Sequence, residues 1–144
     1  MIRELSAEQT HLAYLAMLEL RPTISSEASF VDRVNGLQRP EGYRLVASFV
    51  DGDEQAAAVA GFRSIHSLAW RHCLYCDDLS SRQVFRRQGH AGALLDWLIA
   101  EARRLGCAQF HLDSGVNPQA RADAHRLYMN KRMHISAYHF ELEL

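Results

Sequence analysis

The chain has 144 residues, a formal net charge of −1 and 48% hydrophobic residues, which predicts one globular domain over residues 1–144. The near-zero charge disfavours a nucleic-acid partner, since a protein that coats nucleic acid needs a basic surface. No apolar run approaches the ~20 residues of a membrane helix, no apolar signal-peptide core is visible, and the three cysteines favour a reduced, cytoplasmic protein.

The N-terminal part of the chain combines a short strand with two helices. MIREL is the candidate strand, and Ser6 follows it as the start of a capping box. Apolar residues between positions 7 and 20 recur on one stripe, which predicts a helix. Ser25 or Ser26 would cap the second helix.

From Tyr43 the apolar pattern becomes that of strands. YRLVASFV and AAAVAGFRSIHSLAW flank the turn signal DGDE and predict a hairpin. The remaining predicted elements are the strand HCLYCDDLS, a helix over residues 89–105, the strand CAQFHLD, the helix PQARADAHRLYMN and one or two strands in MHISAYHFELEL. This order predicts an α+β (mixed α/β) fold with a largely antiparallel sheet.

The turn FRRQGHAG before the third helix has the character of an anion site. Helix N-termini carry unpaired N–H groups and a partial positive charge, so anions bind there. Gly89 and Gly92 would let an anion approach the backbone, and Arg86 and Arg87 could add charge-assisted hydrogen bonds. The alternative is that the arginines are solvated and the glycines only close a tight connection. The P-loop and the dinucleotide fingerprint are both absent.

The segment DDLSSRQVFRRQGHAGALLDWLIAEARRLGCAQFHLDSG resembles the coenzyme A-binding core of the GCN5-related N-acetyltransferases (GNAT). Arg86, Gly89 and Ala91 match the family signature of Arg or Gln, two residues, Gly, one residue, and Gly or Ala. The resemblance implies the GNAT fold, a twisted, mostly antiparallel sheet of six to seven strands flanked by about four helices and splayed at the acetyl-CoA site. It also implies a homodimer formed through the last strands.

The resemblance further implies that backbone amides of this turn bind the pyrophosphate of acetyl-CoA, while the preceding strand pairs with the pantetheine arm. The implied coenzyme-binding residues are Leu79, Ser81, Arg86, Arg87, Gln88, Gly89, His90, Ala91 and Gly92, with Asn117 ranked lower.

Tyr128 stands where the family commonly has a tyrosine that protonates the departing thiolate. A phenol with a pKa of about 10 can supply that proton, and the alternative is a tyrosine that only packs its helix. An attacking ammonium must first lose a proton, and Asp77 and Asp78 are candidate bases. Neighbouring strand side chains point to opposite faces, so only one of the two should face the cleft. A salt bridge to arginine is the alternative for each.

Two further positions give expectations that the fold can test. The family's usual glycine after the last helix is Arg132 here, and a left-handed conformation at that residue would cost about 1–2 kcal/mol. Cys73 and Cys76 lie three apart on a strand and face opposite sides, which is poor geometry for zinc. No metal is therefore expected, and Cys76 and Cys107 are expected to pack in strands.

These features predict an acetyl-CoA-dependent N-acetyltransferase that moves an acetyl group to a primary amine of a small molecule or peptide by direct attack in a ternary complex. A non-catalytic acyl-CoA-binding sensor or subunit is the main alternative. An RNA-directed enzyme with a phosphate-contacting patch is disfavoured by the net charge; that patch would consist of Arg71, Arg82, Arg86 and Arg87.

The resemblance implies that residues 18–30 and 62–70 form the acceptor pocket. Glu19, Glu27 and His66 are its candidate ligands for a cationic amine, with surface positions as the alternative. Polyamine, aminoglycoside, amino acid, peptide N-terminus and lysine all stay open as acceptors.

Overall fold

A computed structural model gives the fold, and it describes residues 1–119 and 122–144. The strands are β1 (Ile2–Leu5), β2 (Arg44–Ser48), β3 (Ala58–Ser67), β4 (Arg71–Ser81) and β5 (Gln109–Leu112). The helices are α1 (Tyr14–Leu20), α2 (Glu27–Arg33), α3 (His90–Arg104) and α4 (Pro118–Asn130). A 3-10 segment, Ala7–Ala13, leads into α1, and a π-helical turn, Val34–Gln38, continues α2.

The strands form one five-stranded sheet in the order β1-β2-β3-β4-β5, and β1 to β4 are antiparallel neighbours. This confirms the predicted α+β class. The register of β3 and β4 shifts at one point, because Gly61 lies opposite Asp78 while Phe62 lies opposite Cys76. Asp77 is therefore the extra residue of a β-bulge on β4.

Helices cover both faces of this sheet. The ring of Phe62 on β3 contacts Trp97 of α3, with ring centroids 5.8 Å apart. The neighbouring Gly61 faces Tyr43, and successive strand residues face opposite sides. A second buried layer packs against the Tyr43 face and includes Met17 of α1 and Phe30 of α2.

The contacts divide the chain into two compact units, residues 1–111 and 112–144. The first contains β1 to β4 and α1 to α3, and the second contains α4. The expected single domain over residues 1–144 stays a prediction.

The C-terminal segment differs from its sequence pattern. Residues 134–144 have no regular secondary structure, and the side chains of Tyr138 and Phe140 are exposed. Alternating apolar residues become a strand only when their backbone groups pair with a neighbouring strand. The described residues consequently hold five strands instead of six to seven.

Short-range capping signals predict most helix ends well. The Ser6 N–H donates to Oε1 of Gln9 at 3.2 Å, as a capping box requires, although the turn it opens is 3-10 before it becomes α1. Oγ of Ser26 accepts from the Ser29 N–H at 3.1 Å and caps α2. Helix α4 has the bounds that the sequence predicts.

The end of α4 has a left-handed residue that is not glycine. Arg132 has φ 62°, its N–H donates to Met129 O at 2.9 Å, and the Met133 N–H donates to Tyr128 O at 3.1 Å. This pair of bonds is a Schellman motif. Gly106 ends α3 with the same bonding pattern at φ 74°, so Arg132 accepts a conformation that glycine adopts at lower cost.

Glu101 on α3 is buried, although the sequence pattern places it on the water-facing side of the helix. Its carboxylate pairs with Arg44 of β2 at 2.8 Å and with Arg104 at 2.6 Å. The hydrogen bonds from Arg104 and then Arg44 outweigh the opposing effect of burial and lower the pKa of Glu101 from 4.5 to about 2. Glu101 can be buried because Arg44, on a different element, supplies the countercharge.

We expect this carboxylate to stabilise the fold at neutral pH. Its pKa is depressed by folding, so the stabilisation is fully present above about pH 4.5 and is lost as the pH falls towards 2. Glu101→Gln should lower the free energy of unfolding by about 2 kcal/mol at pH 7, because the charged hydrogen bonds to Arg44 and Arg104 are lost. The pair with Arg104 adds little to this value, since Arg104 is exposed and its charge is screened by solvent. Urea unfolding at several pH values should show this difference shrinking below pH 4. The exposed Glu54→Gln is the matched control, and a difference that does not depend on pH would contradict the prediction.

Candidate active site

The turn before α3 presents a set of unpaired backbone donors. Gly89 is the N-cap of α3 with φ 90°, and Arg87 also lies in the left-handed region with φ 63°. The first amide of this segment with an internal acceptor is that of Ala93, which donates to Gly89 O at 3.0 Å. Within residues 1–119 and 122–144, the N–H groups from Arg87 to Gly92 have no acceptor. Such a nest of amides at a helix N-terminus suits a phosphate group.

Side chains around this turn hold it in place. Nδ1 of His90 lies 2.9 Å from Oγ of Ser48 on β2 and its ring contacts Phe85. Nε2 of Gln88 donates to Val84 O at 3.0 Å. The backbone donors therefore stand in a braced loop.

The two arginines of the turn differ. NH2 of Arg86 pairs with Oε2 of Glu19 at 3.3 Å, while Arg87 is exposed and has no partner in the described part of the chain. Arg87 is therefore the cation left available to an anion. Arg82, another member of the arginine patch considered for RNA, pairs with Asp53 at 2.6 Å.

Strand β4 offers backbone groups near the turn. It has eleven residues, whereas its neighbour β5 has four, so β5 cannot pair with the whole of β4. The Ala108 N–H donates to His72 O at 2.7 Å, which places the chain leading into β5 beside the beginning of β4. Leu79 and Ser81, half-buried near the other end of β4, are thus positioned to pair with an extended ligand.

The two adjacent aspartates of β4 have different partners. Asp77, the bulge residue, forms a bidentate pair with Arg63 through contacts of 2.6 and 2.9 Å. Asp78 is buried, with its Oδ1 2.8 Å from NH2 of Arg21. The arginine salt bridge that the sequence offered as an alternative is therefore present for both.

Tyr43 completes the surroundings of Asp78. Its hydroxyl donates to Oδ2 of Asp78 at 2.7 Å. Burial, reinforced by the Asp78 charge, raises the pKa of Tyr43 well above its ordinary value, so the hydroxyl stays protonated as a donor. A Cβ on Gly61 would collide with the Tyr43 ring, which explains a glycine inside a strand. A glycine inside a strand indicates that another group packs closely against the backbone, but the sequence does not show that this group is Tyr43.

A cavity of about 270 Å³ lies beside this cluster, between α1, α2 and the sheet. Its polar lining comes from Arg21, Thr23, Arg33, Gln38, Tyr43 and Asp78. Four residues of the expected acceptor region 18–30 line this cavity, namely Arg21, Thr23, Ile24 and Phe30, while no residue of 62–70 does. That the acceptor binds here stays a prediction. Glu19 is engaged with Arg86 and the Gln83 N–H, and the ring of His66 stacks on His72. Among the lining residues that sequence reasoning missed, Arg33 and Tyr43 are the ones with ionisable side chains.

The cysteines take no part in a metal-binding group of the described residues, which hold no group of three or more His, Cys, Asp or Glu suited to a metal. Cys76 is buried on β4, its thiol donates to Asp78 O at 3.3 Å, and burial raises its pKa. Cys107 is half-buried and precedes β5, so the expected strand position was wrong for this cysteine.

Comparison with known proteins decides the family. The model of the Acetyltransferase (GNAT) family matches residues 8–133. The chain belongs to the GNAT family. It is also 32% identical over 127 residues to the uncharacterized N-acetyltransferase YhdJ of Bacillus subtilis (strain 168), covering 88% of this chain and 84% of that protein.

Solved structures share the GNAT fold of this chain. The ribosomal-protein-alanine N-acetyltransferase from Brucella melitensis biovar Abortus 2308 superposes with a TM-score of 0.81 at 15% identity, covering 100% of this chain and 99% of that one. The aminoglycoside N-acetyltransferase AAC(6')-Iy in complex with CoA gives a TM-score of 0.79 at 12% identity, covering 100% and 93%. At these identities the likeness shows the fold alone.

The GNAT protein is accordingly an acetyl-CoA-dependent acyltransferase. The donor set of its turn fits the coenzyme, because a diphosphate can take the unpaired amides between Arg87 and Gly92 and the charge of Arg87. No helix of the described residues is long and apolar enough to cross a membrane.

Two residues predicted for the GNAT site lie in the second unit. Tyr128 is half-buried on α4. Oδ1 of Asn117 accepts from the Gln119 N–H at 3.0 Å and caps α4, so this side chain is already used within its own helix. The catalytic role of Tyr128 and the coenzyme contact of Asn117 stay predictions.

Proposed function

We propose that this GNAT enzyme transfers the acetyl group of acetyl-CoA to a primary amine of a small molecule or peptide by direct attack in a ternary complex. The observation that carries the proposal is the cavity lined by Asp78. Asp78 directly precedes Leu79, the first residue proposed to pair with the pantetheine arm. An amine in the cavity would therefore lie close to the thioester, and holding both reactants in one site supplies much of the rate acceleration.

The coenzyme is bound by backbone groups in this proposal. The amides from Arg87 to Gly92 hold the diphosphate and Arg87 adds its charge, while Leu79 and Ser81 fix the pantetheine arm along β4. Arg86 supports the turn through Glu19, and His90 supports it through Ser48.

Asp78 is the preferred proton acceptor for the amine. It lines the cavity, whereas Asp77 does not border that cavity and pairs with Arg63 instead. Arg21 contacts Oδ1 of Asp78 through Nε at 2.9 Å and NH2 at 2.8 Å. Oδ2 accepts only from Tyr43 among the described residues, and a carboxylate oxygen has a second acceptor position. Asp78 therefore keeps acceptor capacity for an ammonium proton.

The bond changes balance as follows. The ammonium gives a proton to Asp78, and the free amine nitrogen then bonds to the acetyl carbonyl carbon. The carbon–sulfur bond breaks, the sulfur keeps the electron pair, and the Tyr128 hydroxyl supplies its proton. The nitrogen loses its second proton as the amide forms, solvent carries a proton back to the Tyr128 oxygen, and Asp78 releases its own proton to solvent. A positioned acid of this kind typically contributes about 10²–10⁴-fold to the rate.

Calorimetry with desulfo-CoA tests the coenzyme site, and thiol release with a panel of amines tests the transfer. Gly89→Ala should weaken desulfo-CoA binding by about 5–30-fold, because a side chain at φ 90° costs about 1–2 kcal/mol in the loop that binds the diphosphate. Gly52→Ala is the matched control, since Gly52 has φ 85° and open space around it but lies in the β2–β3 connection. Equal affinity in both variants, or no binding to the wild type, would contradict the proposed coenzyme site.

Cytoplasmic location and homodimer formation stay predictions. The free cysteines are consistent with a reducing compartment. Sedimentation of the purified protein would measure the oligomeric state.

A further inference from the structure

We infer that the acceptor amine carries an acidic group, a carboxylate or phosphate, on a partly apolar body, and that Arg33 selects for it. This inference rests on the proposed function, because it assigns the substrate class of the same cavity. The charges and the apolar lining of the cavity carry it.

The single carboxylate of the cavity lining is already neutralised. Arg21 lies 2.8 Å from Oδ1 of Asp78, and Tyr43 donates to Oδ2 at 2.7 Å. Asp78 can take the proton of one ammonium, but it has no further charge to offer a second cationic group.

Arg33 leaves the lining with excess positive charge. It is an exposed residue in the last turn of α2, it borders the cavity, and it has no ion-pair or hydrogen-bond partner in residues 1–119 and 122–144. Arg21, Arg33 and Asp78 together give the lining a net charge of +1. A free guanidinium is a strong donor for carboxylate and phosphate, and it repels polyamines and aminoglycosides.

The remaining lining is apolar. The apolar side chains that border the same cavity are those of Met17, Ile24, Phe30, Val34 and Leu37. Its volume of about 270 Å³ is small for a ligand site. A compact amine with an acidic group and an aliphatic or aromatic body matches this lining better than a long polar chain.

Matched substrate pairs test the inference. L-Leucine and 3-methylbutylamine share a body and differ in the carboxylate, and O-phosphoethanolamine and ethanolamine differ in the phosphate. With rates expressed per concentration of unprotonated amine, kcat/KM in thiol release should be at least about tenfold higher for the acidic member of one pair, since a hydrogen bond to a charged group has about this effect. The pair with the larger kcat/KM ratio shows whether the acidic group of the substrate is a carboxylate or a phosphate.

Arg33→Gln separates a specificity role from a structural one. It should raise KM for the acidic member by about tenfold or more, with little change in kcat and little change for the neutral amine. Arg103→Gln, an exposed arginine on α3, is the control that should alter neither. Thermal unfolding of both variants should match the wild type.

The outcomes distinguish this inference from the proposed function. Faster reaction of the neutral amines, or an equal effect of Arg33→Gln on both members of a pair, overturns the acidic-acceptor inference and leaves N-acetyl transfer standing. No reaction with any of the four amines also overturns it. Failure of desulfo-CoA to bind would then overturn the proposed function as well.

Discussion

Replacing Tyr128 by phenylalanine is expected to lower kcat by about 10²-fold or more, with KM for acetyl-CoA changed less than about twofold. The variant keeps the ring and its packing on α4 but removes the proposed donor of the thiolate proton. A loss confined to kcat is the signature of an interaction made in the transition state. Steady-state thiol release with saturating amine measures both constants.

Tyr138→Phe is the matched control for that experiment. Tyr138 is an exposed tyrosine of the C-terminal segment, so removing its hydroxyl should leave kcat unchanged. Equal rates for wild type and Tyr128→Phe would contradict the acid role. If in addition no amine supported CoA release, the non-catalytic acyl-CoA-binding alternative would gain.

Gly61→Ala is expected to have the largest effect on stability, lowering the free energy of unfolding by about 2–3 kcal/mol. The added methyl group would occupy the space of the Tyr43 ring, which is buried and cannot move without disturbing the core. Moving the ring also removes the hydroxyl donor of Asp78, so catalytic activity should fall together with stability. Urea unfolding and thiol release measure the two effects.

Two further variants make the Gly61 result interpretable. Gly36→Ala adds a methyl group where nothing lies within 4 Å, and it should be nearly neutral. Tyr43→Phe keeps most of the ring and removes the hydroxyl, which should cost about 1–3 kcal/mol because Asp78 loses a buried partner. The double variant should be less destabilised than the sum of the singles, since both changes act on one contact. If the losses in unfolding free energy of the two single variants added up fully in the double variant, Gly61 would not be required by the packing of Tyr43.

Local signals predicted helix ends near the acceptor cavity and near the coenzyme site. The capping serine Ser26, the helical period of α3 and the glycine at position 106 all act within a few residues, so they can be read without the fold. The same holds for the bounds of α4. Arg132 even adopts the left-handed conformation that its position demands. The turn that precedes α3 was predictable for the same reason.

Contacts between distant residues were beyond such reasoning. Glu101 is buried because Arg44 of β2 faces it. Residues 134–144 alternate as a strand does, yet they have no strand structure, because a strand needs a neighbour and the pattern does not supply one. The bulge at Asp77 is likewise a property of the β3–β4 register.

The sequence by itself determined the GNAT signature from Arg86 to Ala91 and the anion-binding character of the turn, because backbone conformation and helix polarity there depend on adjacent residues. Only the tertiary structure decided which groups meet at the acceptor cavity. Tyr43 reaches Asp78 because the β3–β4 register places Gly61, which has no side chain, opposite Asp78. The packing of α2 brings Arg33 to the same cavity. Those contacts join residues far apart in the chain, and no local pattern encodes their distance.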